Sequence, residues 1–252
     1  MSVSLLRLKS GDLMLGYLRK NSDRDCGFVV RRGSDDGQTW GPEVMVTEPV
    51  SYYVVNNDRL VQLSTGRLLV PAADHGDISK RPNSPAVCYY SDDEGRTWRR
   101  GPGEVRLGGI GCQEPGVVEL KDGRVYMIIR NSLGSIHRAI SLDGGLTWGE
   151  AASTGLVSPV APATIARIPT TGDLLMIWNN SPKRRVPLTA ALSSDEGATW
   201  NHLRNLEEDG QSFAYTSVTW VGQTAVLSHW TQMQGGYGLK VKVVPVPWFY
   251  GE

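Results

Sequence analysis

Ser91-Asp92-Asp93-Glu94-Gly95-Arg96-Thr97-Trp98 recurs as Ser141-Leu142-Asp143-Gly144-Gly145-Leu146-Thr147-Trp148 and as Ser193-Ser194-Asp195-Glu196-Gly197-Ala198-Thr199-Trp200. A fourth copy, Gly33-Ser34-Asp35-Asp36-Gly37-Gln38-Thr39-Trp40, lacks only the leading serine. The octapeptide is a turn: Asp can accept backbone N–H groups across the loop, Gly takes a positive φ, and Trp folds back onto a sheet. It is predicted to close a hairpin, with its residues serving as fasteners and not as catalysts.

A second repeat surrounds it. Apolar stretches flank a Gly-centred turn at residues 5–19, 60–73, 117–130, 164–179 and 217–230, and the turn glycines 11, 66, 123, 172 and 222 lie 49 to 57 residues apart. β-Branched and aromatic residues fill the runs, and no segment sustains a 3.6-residue period, so helix is expected to be scarce. Units of this length, each a Gly hairpin followed by a Trp-bearing turn, suit radial sheets that bury both faces against neighbours. The predicted fold is therefore all-β, a β-propeller in one domain over residues 1–252, with units near 1–45, 46–104, 105–152, 153–205 and 206–252. The fifth unit carries no octapeptide, and open blade edges would favour self-association.

Charge narrows the partners. The 252 residues hold 26 Lys+Arg against 26 Asp+Glu, so no broad cationic field exists for nucleic acid or an anionic membrane surface. No apolar run approaches the roughly 20 residues of a bilayer span. Cys26, Cys88 and Cys112 are far apart and are read as buried thiols. The four histidines form no metal-ligand spacing, and neither a metal nor an organic cofactor is expected. Nothing after Met1 reads as a leader segment, and localisation stays open.

On these boxes the chain resembles the sialidase (neuraminidase) superfamily, whose propellers carry the octapeptide as the Asp-box or BNR repeat. The resemblance runs over residues 1–250 and implies a six-bladed sialidase-type propeller, of which five units are visible. It also implies a site with three arginines on a substrate carboxylate, a Tyr–Glu nucleophile pair and an Asp acid/base. Gln113-Glu114-Pro115-Gly116-Val117-Val118-Glu119-Leu120, with Gly123-Arg124 and Arg130-Asn131, is similar to the family's Glu strand. Glu114 would deprotonate the tyrosine and Arg130 would clamp the carboxylate. Asn179-Asn180-Ser181 and Arg185-Val186-Pro187-Leu188-Thr189 resemble the loop of a further triad arginine, with Arg185 the better match and Arg184 the fallback. Phe213-Ala214-Tyr215-Thr216-Ser217-Val218 resembles the strand that presents the nucleophile, Tyr215. The start of the chain looks like the family's second blade, so the first triad arginine and the acid/base Asp are expected to be absent.

Charge chemistry favours this constellation independently of the resemblance. A glycoside with a carboxylate on its anomeric carbon repels a carboxylate nucleophile, whereas a phenol activated by a nearby Glu arrives neutral. Arginine grips a carboxylate bidentately and stays charged at any working pH. Asn57, Asp58 and Arg59 open the second unit with polar residues and are candidates for sugar contacts, as are Asp74 and His75, each against the alternative of a turn cap or a buried pair. Arg19 ends its hairpin as Arg130 does. Taken singly, Glu114, Arg130, Arg185 and Tyr215 each have an ordinary structural explanation; it is their corresponding places in the units that point to a carbohydrate site. The expectation is an exo-acting sialidase-type glycoside hydrolase for terminal sialic acid or a related ulosonic acid on a glycan. A non-catalytic glycan-binding or scaffold propeller is the alternative.

Overall fold

The computed structural model describes residues 2–80, 83–210 and 212–252. Among them the strands assemble into five sheets that follow the five sequence repeats. The first sheet runs β1 (Val3–Arg7), β2 (Leu13–Ser22), β3 (Asp25–Gly33), β4 (Val44–Met45). The second contains β5 (Tyr53–Val54), β6 (Val61–Gln62), β7 (Leu68–Asp74), β8 (Ala86–Ser91) and β9 (Arg99–Val105), with β5 and β6 both pairing β7. The third is β10 (Gln113–Glu119), β11 (Val125–Arg130), β12 (Ser135–Ser141), β13 (Ala152–Val157). The fourth is β14 (Thr164–Arg167), β15 (Leu174–Asn179), β16 (Leu188–Ser193), β17 (Asn201–Glu207). The fifth holds β18 (Phe213–Val221), β19 (Thr224–Met233) and β20 (Gly236–Pro245), followed by a short helix α1 (Val246–Tyr250).

The order within each sheet is that of an antiparallel meander, the arrangement short turns allow. Each octapeptide sits where the sequence reading puts it, between the last two strands of its sheet. In the second sheet Asp93 accepts from the Thr97 backbone N at 2.9 Å and Thr97 Oγ1 at 2.6 Å, and Ser91 Oγ donates to it at 2.7 Å. Ser91 Oγ in turn accepts from Gly95 N at 2.8 Å. Asp35, Asp143 and Asp195 receive the equivalent threonine bonds at 2.5–2.9 Å. Burial works against the Asp93 charge, but the Thr97 and Ser91 bonds outweigh it and hold the carboxyl at about 2. For Asp195 the Thr199 bonds come first and give the same value, about 2.

By contact density the chain divides into two compact units, Met1–Ile129 with Ala139–Ala151 and Arg130–Arg138 with Ala152–Glu252. The first unit has two apolar clusters. One gathers Met14, Phe28, Val30, Leu68, Val70 and Tyr89, with the box tryptophan Trp98 packed on it. The other gathers Leu69, Cys88, Val125, Met127 and Ile129, with Trp148 on its edge. The second unit is built on Leu175, Ile177, Leu192, Phe213, Leu227 and Phe249. Alternate residues of β2 (Met14, Leu18) and β19 (Ala225, Leu227, His229) are buried, as a two-residue side-chain period requires. Regular helix among the described residues amounts to α1 and one 3-10 turn, Ile78–Lys80.

Candidate functional site

In the first unit the segment Asn56–Arg59 lies between β5 and β6 and is tied to β1. Asp58 N donates to Val3 O at 3.2 Å, Arg59 N to Ser4 Oγ at 2.9 Å, and Asn57 N to Asn56 Oδ1 at 2.7 Å. These bonds leave Asn57 half-buried and Asp58 exposed, while Arg59 is only 3 % exposed. Burial pushes the Arg59 guanidinium down from its ordinary value, and the negative charges of Asp58 and Glu114 push back. Glu114, the second residue of β10, is 9 % exposed. The Arg59 side chain packs on Gly116: a methyl group on that glycine would lie 3.1 Å from the guanidinium carbon and 3.2 Å from Nε. The β10 backbone thus leaves room for Arg59 because residue 116 has no side chain.

The second unit holds Tyr215, Arg185 and Arg130. Tyr215 is half-buried on β18, at a register shift between Ala214 and Ser217 in the ladder with β19. A bulge of this kind re-aims the side chain it carries. The Arg185 carbonyl accepts from Phe213 N at 2.8 Å, which fixes the loop before β16 to the start of β18. Its guanidinium donates to Val160 O at 3.3 Å and stands 5.8 Å from the Tyr215 ring centroid. Arg184 is exposed, with its backbone N on Ser181 Oγ. Arg130 closes β11 half-buried, and the following Asn131 is buried and donates to Ser135 O at 3.0 Å.

The structure therefore brings together Asp58, Arg59 and Glu114 in one unit, and Arg185 with Tyr215 in the other. Backbone geometry marks three of these residues. Among the described non-glycine residues, positive φ occurs at Asp58 (58°), Glu114 (38°) and Tyr215 (60°). Asp36, Glu94 and Glu196 share that geometry as part of the octapeptide turn, and Ser2, Val50 and His202 complete the set. Left-handed backbone at bulky residues costs on the order of 1–3 kcal/mol and gathers at functional sites. No sequence pattern announces it, because it depends on how the strand is pinned at both ends.

The weaker candidates each have a partner within the protein. Asp74 accepts from Ser51 Oγ at 2.5 Å and from Arg100 at 3.0 Å, and His75 Nδ1 pairs with Ser84 Oγ at 2.8 Å. Arg19 is 45 % exposed and bonds Glu43 at 2.7 Å. A cleft of about 480 Å³ in the first unit is lined by Arg67, Asp92, Glu119 and Asp143 on the octapeptide side, and holds none of the candidates. Its Arg67 is paired with Asp92 and with the carbonyls of Asp143 and Gly144.

Sequence reasoning missed one charged cluster. Glu207 is buried with Lys240 Nζ at 2.6 Å, Lys242 Nζ at 3.1 Å and His229 Nε2 at 3.6 Å from its carboxylate. His229 is fully buried, edge-on to the Phe213 ring at 5.8 Å, and burial lowers its proton affinity more than Glu207 raises it. The fifth unit lacks an octapeptide, so no motif pointed there. Among the described residues no group of three or more His, Cys, Asp or Glu could hold a metal ion.

Residues 3–227 match the family of BNR repeat-like domains. A sialidase of Bacteroides fragilis (strain YCH46) is 27 % identical over 214 residues, which are 79 % of this chain and 38 % of the relative. A Hadza microbial sialidase superposes with a TM-score of 0.78 at 19 % identity, covering 97 % of this chain and 52 % of that one. The Trypanosoma rangeli sialidase in complex with sialic acid superposes with a TM-score of 0.72 at 18 % identity, covering 100 % of this chain and 45 % of that one. The chain spans about half or less of each of these proteins, and its fold is that of their β-propellers.

Proposed function

Because the chain belongs to the BNR repeat-like domain family, with a sialidase-like fold, we propose that it is an exo-acting sialidase-type glycoside hydrolase for a terminal sialic acid or a related ulosonic acid. The observation that carries the reading is Tyr215, held in left-handed backbone at a bulge beside the Arg185 guanidinium. Strain of this kind persists only where the surroundings over-determine it.

In this reading Arg130 and Arg185 take the substrate carboxylate, and Asn57 and Asp58 take sugar hydroxyls. Tyr215 is assigned as the nucleophile and Glu114 as the base: the phenol O–H bond breaks and its proton goes to the base. The phenolic oxygen bonds to the anomeric carbon as the glycosidic C–O bond breaks, and the leaving oxygen carries away the electron pair. Water then attacks the same carbon, losing a proton that neutralises the departed oxygen through solvent; Tyr215 leaves and regains its own proton from the base, and the configuration is retained. A neutral nucleophile avoids the repulsion that the substrate carboxylate would impose on Asp or Glu.

The test is turnover of an aryl sialoside by the full chain. Its phenolate departs without a general acid, so the assay reads the Tyr215 step by itself. Release that disappears in Tyr215→Phe supports the assignment. Calorimetric binding of free sialic acid with no release would replace it by a glycan-binding role.

A further inference from the structure

Arg59 is a chemically conspicuous residue in the first unit. A guanidinium is taken out of water only at considerable cost, and such groups persist where an anion compensates them. Arg59 is 3 % exposed, and the anions acting on it are Asp58 and Glu114. Asp58 is exposed and can keep its charge in water without help. Glu114, at 9 % exposure, has little water around it, so its charge is compensated from within the protein.

Three further features fit this pairing. Gly116 leaves the space into which Arg59 packs, and a methyl there would crowd both Nε and the guanidinium carbon. The Arg59 backbone is anchored by its N–H on Ser4 Oγ, so the side chain starts from a fixed root. Both Asp58 and Glu114, the anions flanking this arginine, are held at positive φ. A side chain this deeply buried presents little of itself to an incoming sugar.

We infer that Arg59 is a positioning residue for Glu114: its buried guanidinium keeps that carboxylate charged and oriented, and it does not itself grip the substrate. The inference rests on the reading of Glu114 as the base for Tyr215, and it changes the role of Arg59 from sugar contact to support. Arginine suits the task because it does not lose its proton when buried and because its planar fork orients a carboxylate.

The test uses carbon-13 NMR of the full chain labelled at glutamate carboxyls, with the Glu114 signal assigned by Glu114→Gln. In Arg59→Met the Glu114 titration midpoint is expected to rise by about one pH unit or more, and in Arg59→Lys to return most of the way. A midpoint that does not move in Arg59→Met overturns the inference. If Arg59→Met does not fold, Gly116→Ala is read in its place: it keeps the charge and displaces it, and an unmoved midpoint there overturns the inference equally.

Kinetics with the aryl sialoside separate support from substrate contact. Loss of support lowers kcat about tenfold or more with KM little changed, whereas loss of a substrate contact raises KM about tenfold with kcat retained and would overturn the inference. Should the unaltered chain show no turnover while the midpoint still moves, the hydrolase reading falls and the Arg59–Glu114 coupling stands.

Discussion

The Arg185 guanidinium faces the ring of Tyr215 at 5.8 Å, and the same residue's carbonyl accepts from Phe213 N at 2.8 Å, two positions before that tyrosine. One arginine thus both braces the strand that carries Tyr215 and sets a positive charge beside its phenol.

Two substitutions divide those roles. Tyr215→Phe is expected to reduce aryl sialoside turnover by on the order of 10³-fold or more while thermal unfolding changes little, because only a hydroxyl is lost. Arg185→Lys keeps the charge but loses the fork, and KM is expected to rise about tenfold with a smaller change in kcat. Steady-state kinetics and a melting curve on each variant check both.

The octapeptide predicts a contrast between two glycines. Gly95 and Gly66 both have positive φ, 82° and 95°, so Gly→Ala strains each backbone. A methyl on Gly66 meets nothing within 4 Å, whereas on Gly95 it runs into the Met14 side chain. Gly66→Ala is expected to cost about 1 kcal/mol, and Gly95→Ala at least about 1 kcal/mol more through overpacking. Urea unfolding of the pair measures the difference.

Acid should loosen the hairpins late. Asp93 and Asp195 are held at about 2 against an ordinary 3.8, so the folded state binds their protons less readily than the unfolded chain. The stability they contribute is complete above about pH 4 and is lost as pH falls toward 2. Asp195 is exposed and Asp93 half-buried, so solvent screening keeps the electrostatic part small. Asp93→Ala removes the Thr97 and Ser91 bonds as well, and is expected to cost about 1 kcal/mol at neutral pH. Its unfolding free energy should vary less than the parent's between pH 4 and 2.

His229 acts in a higher window with the same sign. Its folded-state proton affinity lies below the ordinary 6.5, so the unfolded chain binds the proton first and stability falls as pH drops below about 6.5. The limiting slope is about 1.4 kcal/mol per pH unit for one proton. Replacing His229 by Leu, which cannot titrate, should flatten stability between pH 6.5 and 5 in urea titrations. An unchanged slope would assign that dependence to other groups.

The three cysteines should be silent in the native state. Cys26, Cys88 and Cys112 are buried and unpaired with one another, and burial raises all three thiols, Cys88 to about 12 and Cys112 to about 11. An aromatic disulfide reagent at pH 8 is expected to find no thiol in folded protein and three in urea, since the thiolate is the reactive form.

The five sheets were legible in the chain because their determinants are local. A turn needs Asp, Gly and Thr within five residues, as Asp93, Gly95 and Thr97 show, and a strand needs alternation over a handful. Glu114, Arg185 and Tyr215 are motif positions in the sequence; the positive φ at Glu114 and Tyr215 and the contact of Arg185 with the tyrosine ring are not readable there. Asp74, His75 and Arg19 were ambiguous because a polar residue at a strand end looks the same whether it meets a sugar or, as here, Arg100, Ser84 and Glu43.

What the amino-acid order determined by itself was the repeat, the all-β class and the candidate residues, since each follows from interactions within one hairpin or one turn. What only the tertiary structure decided was the environment of those residues: Arg59 buried against Gly116 from another sheet, Arg185 beside Tyr215, and Glu207 among Lys240, Lys242 and His229. Such contacts join residues 22 to 57 positions apart. Burial and the electrostatics that follow from it depend on which strands become neighbours, and local sequence does not encode that.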